Sequence, residues 1–237
     1  MTMHWNNRNF NPVPFILLAI SLPLLLGGCG EKEAVAETKP EPDGVDMEEL
    51  EFRGEFPNFI YYIKGSDTPY TDKAFSLHGN GEKKFELNFK DGKKEGLEAK
   101  WYANGQKNRE VNYKDGKRDG LYVMWYEDGQ KEWEGNYNNG MREGLWWKWH
   151  ENGQKNRREN YKAGKRDRLY VMWYANGQKE WEGNYKNGML EGPSVRWHES
   201  GEKMEERNYK DGKMVEGSEK FWTRTGQSVE SYGEANE

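Results

Sequence analysis

Short alternating apolar segments, separated by turns that contain glycine, repeat along this chain with a period of 24 residues. Tryptophan, tyrosine and glycine each recur at this 24-residue interval. The repeated positions are Trp101, Trp125, Trp149, Trp173 and Trp197, then Tyr113, Tyr137, Tyr161, Tyr185 and Tyr209, then Gly105, Gly129, Gly153, Gly177 and Gly201. Alternation of apolar and polar residues indicates strands that are buried on one side, and Asn-Gly or Asp-Gly pairs indicate tight turns. Each unit is therefore predicted to be a β-hairpin.

Glu127-Asp128-Gly129 is predicted to be a three-residue hairpin loop, with the glycine in a left-handed conformation. This loop would pair Trp125 with Lys131, Val123 with Trp133 and Leu121 with Gly135. The apolar positions would then share one face, which we expect to be the core. Its members are Leu97, Ala99, Trp101, Leu121, Val123, Trp125, Leu145, Trp147, Trp149, Leu169, Val171 and Trp173, joined by the repeated tyrosines. Gly135 and Gly183 would let large neighbouring side chains lie over the backbone.

The opposite face combines aromatic and methionine side chains with lysine and glutamate, a mixture that suits recognition of a partner. We predict it to be the binding face, although packing against a partner sheet, a curled end or a second copy would explain it as well. Its candidate residues are Tyr122, Met124, Tyr126, Trp146, His150, Tyr170, Met172 and Tyr174.

The predicted fold class is all-β, an elongated and curved antiparallel sheet of tandem hairpins. An imperfect first unit begins near Phe59, and one inserted residue shifts the last unit, so that Gly217, Trp222 and Gly226 stand 25 residues after their counterparts. Both ends are therefore expected to be atypical caps. About seven hairpins are too many for a sheet to stay open and flat, which predicts curvature.

An apolar segment of about 12 residues, at positions 15–26, follows a short polar stretch that contains Arg8. It is too short to span a membrane and is typical of a secretory leader. Leu26-Gly27-Gly28-Cys29 follows it and resembles the lipobox of bacterial lipoproteins. That resemblance implies lipidation at Cys29, the only cysteine, and attachment to the outer membrane if the cell is Gram-negative. A chance cysteine or an uncleaved anchor remains an alternative.

The acidic charge of the chain is concentrated behind this leader, with nine acidic and three basic residues at positions 30–53. The predicted organisation is a signal peptide at 1–28, the lipidated cysteine and an acidic tether at 29–55, the repeats at 56–232 and a tail at 233–237. In the repeats the charges of both signs are interleaved, so we expect no nucleic-acid partner.

The hairpin unit resembles the variant MORN repeat of the bacterial YwqK-family antitoxins. The residues that carry this resemblance are Gly116 to Leu121 (GKRDGL), Trp125-Tyr126, Asp128 to Lys131 (DGQK) and Tyr137. It covers roughly residues 59–226 and implies a MORN-like sheet of hairpins and neutralisation of a toxin by binding. Arg168 stands where the family pattern has glycine, and Pro193 where it has leucine.

The sequence presents no convergent set of catalytic residues. His78, His150 and His198 occupy the slot held elsewhere by Tyr102, Tyr126 and Tyr174, and His150 and His198 would lie four strands, about 19 Å, apart. One metal ion cannot bridge that distance. We therefore predict no catalytic site, no metal and no cofactor.

The predicted function is that of a non-enzymatic, lipid-anchored repeat protein in the bacterial cell envelope, which binds a protein partner or acts as a scaffold. One alternative is an antitoxin or immunity protein whose partner is a toxin. A second is a binder of glycans or lipid headgroups. A third, an envelope hydrolase, would require a non-repeating polar cluster that the sequence does not contain.

Overall fold

The computed structural model describes residues 43–55 and 58–235, which form an almost entirely β structure. The strands are β1 (Val45–Asp46), β2 (Leu50–Arg53), β3 (Ile60–Ile63), β4 (Asp72–Leu77), β5 (Lys83–Lys90), β6 (Lys93–Trp101), β7 (Lys107–Lys114), β8 (Lys117–Trp125), β9 (Lys131–Asn138), β10 (Met141–Trp149), β11 (Lys155–Lys162), β12 (Lys165–Arg166), β13 (Arg168–Trp173), β14 (Lys179–Lys186), β15 (Met189–Trp197), β16 (Lys203–Lys210), β17 (Lys213–Met214), β18 (Lys220–Trp222) and β19 (Ser228–Val229). A 3-10 turn at Met47–Glu49 and helix α1 (Tyr232–Ala235) complete the elements of this part of the chain.

Seventeen of these strands form one curved, open sheet, in which each strand from β4 onward pairs antiparallel with the next along the chain or with the next but one. The two short pieces β12 and β13 both pair with β11, and β17 and β18 both pair with β16. Strand β1 adds in parallel to the edge strand β4. The predicted fold class is confirmed.

The hairpin loops have the predicted three-residue form. In the loop between β8 and β9, the amide of Tyr126 donates to the carbonyl of Gln130 at 2.8 Å, and the amide of Gly129 donates to the carbonyl of Tyr126 at 2.9 Å. Gly129 has φ of 86°, and the carboxylate of Asp128 accepts from the amide of Gln130 at 2.9 Å. Two residues explain this loop: an aspartate, whose side chain accepts a hydrogen bond from the backbone two residues later, and a glycine, which adopts positive φ without strain.

The strand pairing beyond each loop differs from the prediction. Trp125 pairs with Lys131 as expected, but Val123 pairs with Glu134 rather than with Trp133. The register shifts between Met124 and Trp125 because a bulge places one extra residue on the second strand. One extra residue reverses the alternation of side chains, so the repeated tyrosines project from the face opposite to the leucines.

Two-residue turns connect the hairpins to one another. Between β7 and β8, Asp115 and Gly116 have φ of 49° and 81°, and Lys114 pairs with Lys117. Positive φ at both central residues matches the right-handed twist of the flanking strands. In the unit that begins at β12, Arg168 adopts φ of 67° at the usual glycine position and the strand is interrupted there.

The amino-terminal end is closed by a compact cap. Strands β2 and β3 form a separate hairpin, and Leu50 packs with Ala74, Leu87 and Phe89 in a buried cluster. The folded part thus includes residues 45–53, so the predicted tether reaching to residue 55 was too long. Cys29 and the leader lie outside the described residues.

The carboxy-terminal end also departs from the regular repeat. Residues 215–219 separate β17 from β18 and contain the inserted residue. His198 Nε2 lies 3.0 Å from the carbonyl of Trp222, so this unit keeps the contact that the equivalent tyrosine or histidine makes with the following tryptophan in the other hairpins. Helix α1 follows β19, and its Ala235 is fully buried, so the end of the chain predicted to be a tail contributes to the cap.

Candidate functional site: the two faces of the sheet

The tyrosine face is the side of the sheet that carries the repeated tyrosines and most of the predicted binding residues. Its central row runs across the strands through Glu98, Val111, Tyr122, Gly135, Trp146, Glu159, Tyr170, Gly183, Ser194 and Arg207. This row contains the most deeply buried side chains of the repeats. Trp146 has no exposed surface, and Glu98 and Glu159 are each 1% exposed.

Two members of the predicted binding face are therefore not available to a partner. Trp146 is fully buried and Tyr170 is 7% exposed, so the expectation that both lie on the surface was wrong. Tyr122, Met124 and Met172 are half-buried beside them. The physical reason is that long side chains from the adjacent rows fold over the central row and cover it without a second sheet.

The covering layer consists of rings and guanidinium groups. Trp146 packs against Tyr137 at a centroid distance of 5.0 Å and against Tyr122 at 5.4 Å. The guanidinium carbon of Arg142 lies 4.3 Å from the centroid of the Trp146 ring. A Cβ atom at Gly135 would overlap that ring, which confirms that this glycine lets a large side chain lie over the backbone. Cation–π and ring–ring contacts of this kind stabilise the layer.

Buried carboxylates balance part of the positive charge of this layer. Glu159 accepts hydrogen bonds from Arg166 at 3.0 Å and from the hydroxyl of Tyr161 at 2.8 Å, and Arg142 and Arg157 lie within 3.6 Å. A buried charge is tolerated when it is paired and hydrogen-bonded in this way.

Glu98 occupies a similar environment near the amino-terminal end of the sheet. It pairs with Lys94 at 2.8 Å and with Arg109. Burial alone would raise the pKa of Glu98, but the two cations outweigh burial and the pKa is lowered. For Lys94 burial acts to lower the pKa, and the carboxylate of Glu98 outweighs it, so the pKa is raised. Both groups are consequently charged in the folded protein at neutral pH.

The other three predicted residues, Tyr126, His150 and Tyr174, connect neighbouring hairpins. The hydroxyl of Tyr126 donates to the carbonyl of Trp149 at 2.7 Å, and that of Tyr174 donates to the carbonyl of Trp197 at 2.8 Å. His150 Nε2 lies 2.9 Å from the carbonyl of Trp173, so this nitrogen carries a proton, because a carbonyl can only accept. Histidine thus replaces tyrosine as a donor in one structural slot, and His78 and His198 do the same.

Two shallow cavities lie at hairpin tips of the described part of the chain. One of about 380 Å³ is lined by Tyr126, His150 and Asn156 among others, and one of about 410 Å³ by Tyr174, His198 and Arg224. No group of three histidine, cysteine, aspartate or glutamate side chains in residues 43–55 and 58–235 is arranged to hold a metal ion. Within the same residues, no helix has the length and apolar character needed to cross a membrane.

The leucine face is the opposite side of the sheet, and it is the more exposed of the two. It carries three rows, namely Leu97, Leu121, Leu145 and Leu169, then Ala99, Val123, Trp147 and Val171, then Trp101, Trp125, Trp149 and Trp173. Leu97 is 43% exposed, Leu121 44% and Leu145 38%. We predicted this face to be the core, but in these rows only Ala99, Val123 and Val171 are buried, and Trp147 is half-buried. Across the sheet these leucines alternate with Asn112, Asn136 and Asn160 of the intervening strands. The face therefore presents separate exposed apolar side chains that sequence reasoning had assigned to the interior.

The described chain is thus a β-hairpin repeat protein with one filled face and one exposed apolar face. A family model described as the MORN repeat variant matches three stretches of it, residues 94–115, 118–139 and 190–211. Each stretch spans both strands of one hairpin, namely β6–β7, β8–β9 and β15–β16. No curated protein matches the chain.

Proposed function

We propose that this protein is a non-enzymatic, lipid-anchored repeat protein that binds a protein partner, or acts as a scaffold, in the bacterial cell envelope. The exposed leucines support the binding role, because apolar side chains repeated on every second strand, with asparagines between them, offer a partner regularly spaced apolar contacts on a rigid sheet. The MORN repeat variant supports a repeat-based binding or scaffold role. The lipoprotein-like sequence at Cys29 supports the anchor and the location.

The binding role is tested with the full-length chain carrying a carboxy-terminal tag, cross-linked in the cells that encode it and purified from the envelope fraction. A variant with Leu97, Leu121 and Leu145 all changed to Gln should lose a specific partner, because it removes three of the most exposed leucines of this face without touching buried residues. The matched control changes Met141 and Met189 to Gln, since both are about half exposed but lie at turns between hairpins. Partners that survive in the leucine variant would contradict the proposal.

The anchor is tested separately with Cys29→Ser. The wild-type chain should incorporate a fatty-acid label and partition with membranes, and the variant should do neither. An unlabelled wild-type chain would contradict the anchor while leaving the binding role open.

The same purification separates the alternatives. If the chain is an antitoxin, it should copurify with a protein that arrests growth when expressed alone, and co-expression of this chain should restore growth. A binder of glycans or lipid headgroups would retain wall or lipid fractions that contain no protein.

A further inference from the structure

One ion pair repeats along the leucine face, on the second strand of five hairpins. A lysine at the start of the strand pairs with a glutamate three residues later, in Lys83–Glu86, Lys107–Glu110, Lys131–Glu134, Lys179–Glu182 and Lys203–Glu206. In each of these hairpins the lysine is neutralised on the sheet itself. The copying of this pair shows that it is part of the repeat architecture.

The hairpin of β10 and β11 breaks this rule. It keeps the lysine, Lys155, but Arg158 replaces the glutamate, so two cations stand where the other five units have a neutral pair. Within the described residues neither of them has a carboxylate within ion-pair distance. In the same unit Trp147, which pairs with Arg158, replaces the alanine or valine found in the middle row of the neighbouring units.

These substitutions create a local patch of rings and cations, the Trp147 patch, made of Trp147, Trp149, Trp173, Lys155 and Arg158. The ring of Trp147 stacks on that of Trp173 at 6.1 Å and 24°, and lies 6.3 Å from that of Trp149. The Lys155 ammonium is 4.9 Å from the centroid of Trp147, and the Arg158 guanidinium carbon is 6.0 Å from it. Nε of Arg158 has no hydrogen-bond partner among the described residues.

The nearest carboxylates on this face do not compensate for the two cations. Glu134 pairs with Trp147 on one side, and Glu182 pairs with Val171 on the other, so each lies about two strands, or roughly 10 Å, from Arg158. Each is held by its own lysine. Since five hairpins fold with glutamate at this position, the fold does not require Arg158. Its Nε is buried, but the side chain as a whole is only half-buried and meets no carboxylate among the described residues.

We propose that the Trp147 patch binds an acidic segment of a partner protein, with a partner carboxylate taking the place that glutamate holds in the other five hairpins. An apolar side chain of the same segment packs on the indole of Trp147. This inference rests on the proposed protein-binding function and names the chemistry of the partner. A carboxylate beside lysine and arginine makes charge-assisted hydrogen bonds, which are stronger than neutral ones.

A protein segment fits this surface better than a small anion. Leu145 lies beside Trp147 on the same face and is 38% exposed, so an apolar surface borders the cations. An extended peptide presents alternate side chains about 7 Å apart on one side, so glutamate and leucine on one segment can reach both the cations and the apolar row.

The experiment measures binding of a labelled synthetic peptide of repeating Glu-Ser-Leu-Ser, in which glutamate and leucine fall on the same side of an extended chain, to the full chain by fluorescence anisotropy at low salt. Arg158→Glu should weaken binding about tenfold, the factor expected for the loss of one charge-assisted hydrogen bond. Trp147→Val should weaken it about fivefold, through loss of the ring contacts. Both variants install residues that neighbouring units already carry, so both should fold, and circular dichroism checks this.

Arg168→Glu is the matched control, because it changes the net charge by the same amount in the next unit, on the tyrosine face. Arg168 has 85% of its side chain exposed. The inference is overturned if Arg168→Glu weakens binding as much as Arg158→Glu, if Arg158→Glu binds as well as the wild type, or if inorganic phosphate at the peptide concentration displaces the peptide. Cross-linked partners that depend on the leucine row but not on Arg158 would overturn this inference alone and leave the proposed function standing.

Discussion

The two faces of this sheet bury apolar surface in different ways. Strands β2 and β3 cover the tyrosine face at the first repeat, where Tyr61 packs on Phe89. In the middle of the sheet Trp146 is fully buried because tyrosine rings and arginine side chains lie over it. The leucine face carries the more apolar residues, yet Leu121 is 44% exposed. Long amphipathic side chains can cover a surface with their own stems and rings, whereas short aliphatic ones cannot.

This comparison shows that the polarity of a residue does not predict which face of a one-layer sheet is solvent-exposed. On a single sheet, the face with the longer side chains becomes the core. The face with the shorter ones becomes the surface at which a partner can gain apolar contact.

The largest expected effect is at Trp146. Trp146→Ala should lower the free energy of unfolding by about 3–5 kcal/mol, because it removes a fully buried ring and leaves a cavity. Leu121→Ala, on the other face, should cost about 1 kcal/mol, since much of that side chain is already in water. Urea denaturation followed by circular dichroism measures both. Equal losses at the two sites would show that the faces do not differ in this way.

The second prediction concerns the charge buried on the tyrosine face. Glu98→Gln should destabilise the protein by about 1.5–3 kcal/mol at pH 7, because Lys94 and Arg109 lose their shared charged acceptor. The pKa of Glu98 is lowered in the folded state, so its stabilisation is complete above its ordinary value of 4.5 and is lost as the pH falls through the lowered folded-state pKa.

Urea midpoints of wild type and Glu98→Gln at several pH values between 7 and 3 measure this dependence. The difference between the two proteins should shrink below about pH 4.5. A difference that stays constant across this range would indicate that the carboxylate contributes through packing and not through its charge.

The smallest effect is expected at the contacts between hairpins. Tyr126→Phe removes the hydroxyl that donates to the carbonyl of Trp149 and should cost about 1 kcal/mol. Tyr126→His should cost less, because His150 makes the equivalent bond to Trp173 in the next hairpin. Thermal unfolding of the two variants distinguishes them. A histidine variant less stable than the phenylalanine variant would contradict the interchangeability of the two donors.

Local chemistry explains which parts of the fold could be predicted. The 24-residue period, the Asp128-Gly129 turn and the shifted last unit follow from residues within a few positions of one another, and the structure contains each of them. The assignment of faces could not be predicted, because the bulge beside Trp125 depends on how two strands pair. One part of the Trp147 patch is visible in the sequence, because Arg158 breaks a repeated Lys-Glu spacing. Only the strand pairing, which sets Arg158 opposite Trp147, shows that the two residues form one patch.

By itself, the sequence determined the repeat, the hairpins and the positions at which glycine, tyrosine and tryptophan recur, because turn geometry and strand alternation are local properties. The tertiary structure decided which face is filled and which is exposed. A single extra residue in each hairpin reverses the side-chain alternation, and burial then depends on contacts between strands that lie 24 residues apart.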